Sequence, residues 1–232
     1  MVTDTKLSKF LTYVRQDMAG KSKETRVRRV SVSGPQVVRI HDQAYEYLSW
    51  EVLGEEIFDL AQKILKNGKE YDRVIALAKG GLTFARSLID YLDIPQLNSI
   101  QIEFYSGIDK TLKAPVVTQG LSASIKNESI LIFDDLVDKG ETMKKATEYL
   151  RFHGPEDIDT CCLITKPWAT FKPDFFTHES KAWIIFPNES RETIQLLQDM
   201  WQEKGDSLEV IKVNLMKIGF PKAEVEFFTQ DR

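Results

Sequence analysis

A chain of 232 residues with 42% hydrophobic side chains is long enough for one well-buried domain with appendages. It holds no apolar run of membrane-spanning length, no apolar signal core at its N-terminus and no His/Cys cluster at zinc spacing, so a cytoplasmic protein with no membrane partner is expected. The formal net charge of −4 is unevenly spread: residues 1–44 carry nine Lys/Arg against four Asp/Glu, and the remainder is acidic.

The basic run Lys21 to Arg29 reads as a solvated arm or one packed on the acidic body; contact with nucleic acid or a phosphorylated ligand is the sharper alternative. Gly20-Lys21-Ser22 imitates a nucleotide-binding P-loop, but Arg15 stands where that pattern needs its first glycine. Trp50 to Leu65 puts Leu53, Ile57, Leu60, Ala61 and Ile64 on one helical face, with Ser49 as N-cap and Asn67-Gly68 as the stop. Tyr71 to Leu77 then reads as a strand, Ala78-Lys79-Gly80-Gly81 as a turn, and a helix follows to about Leu92. Asn98 to Phe104 is a second strand. Tyr105 to Lys126 is polar and poorly periodic, and reads as a mobile loop or hairpin. Strands over Ser129 to Phe133 and Asp159 to Ile164 flank a helix after Thr142. The β-α alternation predicts a doubly wound, mainly parallel sheet. Cys161 and Cys162 fall in the second of these strands and suit buried, reduced thiols rather than a disulfide framework. Beyond it come a short strand at Ala182 to Phe186, helices over Glu189 to Lys204 and Ser207 to Ile218, and an apolar last piece with Val225, Phe227 and Phe228. That tail packs either on its own core or on a partner subunit.

The most informative stretch is Ile130 to Met143, Ile-Leu-Ile-Phe-Asp-Asp-Leu-Val-Asp-Lys-Gly-Glu-Thr-Met. A buried strand ends in two carboxylates, Asp134 and Asp135, which can accept from hydroxyls. Asp138 to Thr142 then offers a backbone nest at a helix start, suited to an anion. Gly140 allows the turn, and Thr142 adds a hydroxyl. A sugar bearing a phosphate is the ligand that needs both halves. One β-α unit earlier, the paired glycines of Lys79-Gly80-Gly81 would let a second anion approach the backbone closely.

This order resembles the ribose-phosphate binding motif of the type I phosphoribosyltransferases, and Asp-Asp-Leu-Val-Asp in particular is similar to the bacterial xanthine-guanine (6-oxopurine) branch. The resemblance spans roughly Tyr45 to Glu189. It implies the type I phosphoribosyltransferase fold, an α/β doubly wound sheet with a flexible hood loop, here with a mostly helical C-terminal extension. The division it suggests is a basic extension over 1–44, the transferase domain over 45–189, and the C-terminal extension over 190–232.

The resemblance implies that Asp134 and Asp135 hold the ribose hydroxyls of phosphoribosyl pyrophosphate (PRPP), and that Lys139, Gly140, Glu141 and Thr142 wrap its 5-phosphate. Asp138 is implied near purine N7 as proton acceptor or donor. Ala78, Lys79, Gly80 and Gly81 are implied as the pyrophosphate loop, with a cis peptide at Ala78-Lys79. Phe104, Tyr105 and Ser106 are implied to open the hood. Lys166 is assigned to the 6-oxo group, Trp183 to stacking on the base and Ile184 to its edge. Mg2+ is implied, mostly through water or substrate, near Asp134, Asp135 and Glu189. The expected activity is transfer from PRPP to N9 of guanine, xanthine or hypoxanthine by a homodimer or homotetramer. Lys139 departs from the usual Thr, and Asn188-Glu189 stands where the bacterial branch has Trp-Asp, which leaves the choice of base open. The alternatives are a PRPP- or nucleotide-sensing regulator of the same fold that binds nucleic acid, and a transferase for another base. The Lys166 and Trp183 pair argues against the regulator, so nucleic acid is not expected as a partner.

Overall fold

The computed structural model describes residues 36–106 and 113–229. The basic run Lys21 to Arg29 and the tip of the expected hood therefore lie outside the described residues. In chain order, a hairpin of β1 (Val37–Ile40) and β2 (Gln43–Tyr47) leads into α1 (Trp50–Lys66), β3 (Arg73–Ala78) and α2 (Gly80–Leu92). Next come β4 (Gln96–Ser106), β5 (Lys113–Gln119), β6 (Ser129–Val137), α3 (Glu141–Arg151) and β7 (Asp157–Thr165). The short strands β8 (His178–Glu179) and β9 (Trp183–Ile185) precede α4 (Ser190–Glu203), α5 (Leu208–Ile218) and α6 (Lys222–Phe228).

Local signals explain most of these bounds. The Ser49 hydroxyl accepts from the Val52 amide at 3.3 Å and caps α1, whose apolar stripe from Val52 to Ile64 is buried. Ser207 caps α5 in the same way. The central strands β3, β6 and β7 are buried almost throughout, as strands covered on both faces must be.

The main sheet has the order β5-β4-β3-β6-β7-β8 and is parallel except for β5. The stretch from Tyr105 to Lys126 thus contributes the return strand of a hairpin. The chain leaves β3 through α2 towards β4, and leaves β6 through α3 towards β7 on the other side. Strand order reverses between β3 and β6, and an open α/β sheet binds its ligands at the carboxyl ends of strands flanking such a reversal. The α3 residues Met143, Ala146 and Leu150 pack on Ile75, Ile100 and Ile132 of the sheet. Cys161 and Cys162 are both buried and unpaired, as expected.

Two expectations about strands are corrected. β6 does not stop at Phe133 but continues in register with β7 to Val137, opposite Thr165. The apolar partner strand runs that far and keeps the ladder going, so the acid pair sits within it. The strand expected over Ala182 to Phe186 forms over Trp183–Ile185, and it lies outside the main sheet. It pairs parallel with β2 in a separate sheet of order β1-β2-β9. The helices α4 to α6 cover this sheet around the fully buried Trp201, whose ring meets Tyr45 edge-on at 6.1 Å. Val225 of α6 belongs to the same cluster and Phe228 packs against it, so this part of the apolar tail packs on its own chain, while Phe227 is exposed. The two layers meet through Phe84 and Phe186, ring centroids 5.7 Å apart.

Candidate active site

The turn from β3 into α2 carries the cis peptide at Ala78-Lys79. Its glycines are required by proximity. A Cβ on Gly81 would stand 2.7 Å from the Phe133 carbonyl oxygen, and one on Gly80 would overlap the Asp135 carboxylate. The two sequence signals, more than 50 residues apart, therefore form one wall across the strand-order reversal.

Asp134 and Asp135 point to opposite faces, as successive strand residues do. The Asp135 amide donates to Asp134 Oδ1 at 3.0 Å, and the Leu136 amide to Asp135 Oδ1 at 2.8 Å. Burial pushes both carboxyls above the usual range, and the neighbouring Asp135 charge adds to the effect on Asp134. Glu189, at the end of the 3-10 turn Pro187–Glu189, is pushed up to about 7 by burial, then by the charges of Asp135 and Glu192. Three carboxylates are thus raised by burial, and two of them, Asp134 and Glu189, border clefts.

Asp134 lines a cleft of about 390 Å³ together with Asp138, Lys139, Gly140, Glu141 and Thr142. Gly140 sits at φ 88° immediately before α3, and a Cβ there would come 2.5 Å from the Phe171 carbonyl oxygen. The Thr170 amide and hydroxyl both donate to the Lys139 carbonyl, at 3.0 and 2.9 Å, and pin the loop. Free amides at the start of α3 and the positive helix end favour an anion in this cleft. Glu141 is exposed in the first turn of the helix.

A second cleft, also about 390 Å³, is lined by Asp138, Lys166, Trp168, Trp183 and Ile184. Lys166 follows β7, is buried, and donates through Nζ to the Ala182 carbonyl. Burial lowers its ammonium pKa, while the charges of Asp138 and Glu46 act the other way. Trp183 stacks one face on Tyr45, centroids 6.1 Å apart and planes at 29°. A third cleft, of about 540 Å³, runs from Lys79, Gly80 and Thr83 to Glu189 and Arg191. The acid pair and phosphate loop, the glycine turn, and the Lys166 and Trp183 pair are thus brought together. Tyr105 and Ser106 end β4, their backbones opposite Ala114 and Lys113; residues 107–112 lie outside the described residues. Phe104, named with the hood, lines the anion cleft; Trp168, Arg191 and Gln43 also line these clefts and were not singled out from the sequence.

Residues 43–191 match the phosphoribosyl transferase domain family. The chain belongs to that family. As a phosphoribosyltransferase it is an enzyme of the glycosyltransferase type, with the type I fold. It is 28% identical over 145 residues to a xanthine-guanine phosphoribosyltransferase of Gluconobacter oxydans, covering 62% of this chain and 83% of the relative. A xanthine-guanine phosphoribosyltransferase of Nitratidesulfovibrio vulgaris is 32% identical with the same coverage of both chains. The crystal structure of a purine phosphoribosyltransferase from Pyrococcus horikoshii superposes with a TM-score of 0.57 at 35% identity, covering 62% of this phosphoribosyltransferase and 93% of that one.

Proposed function

We propose that this phosphoribosyltransferase transfers the 5-phosphoribosyl group of PRPP to N9 of a 6-oxopurine (guanine, xanthine or hypoxanthine), giving the nucleoside monophosphate and pyrophosphate in purine salvage. One observation carries the reading: Asp138 lines both the anion cleft and the cleft that holds Lys166 and Trp183. A sugar carbon and a base nitrogen would meet beside that one carboxylate. The names of the relatives at 28% and 32% identity support a purine acceptor.

In this reading Asp134 and Asp135 accept from the ribose hydroxyls, and residues 138–142 bind the 5-phosphate through backbone amides and Thr142. The Lys79 turn receives the pyrophosphate. The Lys166 ammonium donates to the 6-oxo oxygen and would reject an amino group there, while Trp183 stacks on the base and Ile184 lines its edge. Attack of N9 on C1 expels pyrophosphate with inversion, and Asp138 takes the N7 proton. Closure of the β4–β5 hairpin over the site would exclude water. Positioning and charge stabilisation supply most of the rate.

The carboxylate oxygens of Asp134, Asp135 and Glu189 suit a hard divalent ion such as Mg2+; burial raises all three, the charge of Asp135 adds to the shifts of Asp134 and Glu189, and a bound cation would offset both effects. Among the described residues no cluster of three His, Cys, Asp or Glu could hold a metal, so the ion would be shared with substrate oxygens and water. When bound, it would neutralise the leaving pyrophosphate. We further propose a cytoplasmic homodimer or homotetramer, with residues 45–189 as the transferase domain and 1–44 and 190–232 as extensions. No described helix is long and apolar enough to cross a membrane.

The test is a panel of bases with Mg2+ and PRPP. Guanine, xanthine or hypoxanthine should be converted to its monophosphate, and adenine and pyrimidines should not. Turnover of a pyrimidine alone would replace the acceptor. No turnover, with tight salt-sensitive binding of DNA or RNA, would replace the enzyme with a regulator.

A further inference from the structure

Trp168 lies two residues beyond Lys166 and is 50% exposed, an unusual place for so large an apolar ring. Its indole Nε1 donates to Asp138 Oδ1 at 2.6 Å, across 30 residues of chain. The ring walls the base-side cleft, and the Lys166 ammonium stands 5.7 Å from the ring centroid. Asp138 is itself exposed, so this bond does little for the core. What it does is orient a carboxylate that borders both clefts.

An indole nitrogen can donate and cannot accept. Asp138 Oδ1 thereby already accepts one hydrogen bond, which leaves Oδ2 the freer oxygen for an incoming proton. We propose that Trp168 is a positioning residue for Asp138, fixing which oxygen handles the base proton while its ring borders the base. The inference rests on the reading of the site given above. In that reaction the 6-oxopurine enters with its proton on N7. The N9 lone pair forms the N9–C1 bond as the C1–O bond breaks, and that electron pair leaves on pyrophosphate. The N7 proton passes to Oδ2. With Oδ1 held by the indole, the carboxylate cannot turn its occupied edge to the base, so the receiving lone pair is in place before the bond to carbon forms.

Trp168→Phe keeps a ring beside Lys166 and removes only the N–H. Wild type, Trp168→Phe, Asp138→Ala and the double variant are compared by single-turnover kinetics with the best base of the panel. We expect Trp168→Phe to lower the rate about tenfold, a part of the effect usual for a proton-transfer group, with KM for base and for PRPP within about twofold of wild type. In the Asp138→Ala background the same substitution should cost nothing further, because the group it positions is gone. Equal losses in both backgrounds, or a loss confined to KM for the base, would make Trp168 a packing residue and overturn the inference alone. A wild type that turns over no base would overturn the reading of the site, and this inference with it. Unchanged circular dichroism and unfolding midpoint for Trp168→Phe would exclude misfolding as the source of a rate loss; a lowered midpoint with no rate change would count against the inference.

Discussion

At Lys166 two demands meet in one side chain. Its ammonium is buried, tethered to the Ala182 carbonyl and drawn towards Asp138 and Glu46, so it can read a ligand oxygen only from the position the protein fixes. Lys166→Ala should therefore raise KM for a 6-oxopurine by about 10- to 100-fold, the cost of leaving a buried polar partner unmatched. Pyrophosphate affinity should stay unchanged, as measured by product inhibition; equal losses on both sides would remove the assigned role. The acids and glycines of the donor side were legible in the sequence because each signal is local: strand, two carboxylates, loop, helix. Trp168 was not legible. Its partner Asp138 is remote in the chain, and an isolated tryptophan two residues after a strand has no pattern of its own.

Among the elements, β8 deserves comparison with its neighbours because a charged cluster joins it to β2 and α1. His178 Nε2 is 2.9 Å from Glu46, and Nδ1 is 3.4 Å from Glu56; the Ser180 hydroxyl also donates to Glu46. Hydrogen bonds to Glu46 and Glu56 push His178 from 6.5 to about 9, against the opposing effect of burial. Burial alone would raise Glu46 and Glu56, but the hydrogen bonds from His178 and its neighbours outweigh it and leave both lowered. The raised histidine contributes stability that is full below pH 6.5 and lost as pH climbs to about 9. The two lowered carboxylates contribute stability that is present above the usual carboxylate range and lost in acid. Thermal unfolding should therefore show a decline between pH 6.5 and about 9 of roughly 1–2 kcal/mol, discounted for partial solvent screening. His178→Gln should flatten it; an unaltered slope in that variant would assign the decline elsewhere. The cluster was invisible in the sequence because its acids and histidine lie more than a hundred residues apart and carry no shared spacing.

For the whole molecule, the main division is between the six-stranded sheet and the smaller layer formed by β1, β2, β9 and the C-terminal helices. Helix existence and the alternating order of the main sheet were readable from periodicity and caps. The departure of β9 from that sheet was not, since three residues of strand say nothing about their partner. Trp201 fills the centre of the smaller layer, and Trp201→Ala should destabilise it by about 3–5 kcal/mol in denaturant unfolding. Through β9 the same substitution should weaken base binding more than PRPP binding; equal weakening of both would mean that the layers do not act separately. Lys166 comes from the end of β7 and Trp183 from β9, so a bound base would bridge the two layers. Such a ligand acts as a clasp. Should the smaller layer open as its own unit without it, at less than the global free energy, the ligand would merge the two into one cooperative unit. The acceptor would then do more than complete the reaction: by its presence it would set how many steps the chain takes to come apart.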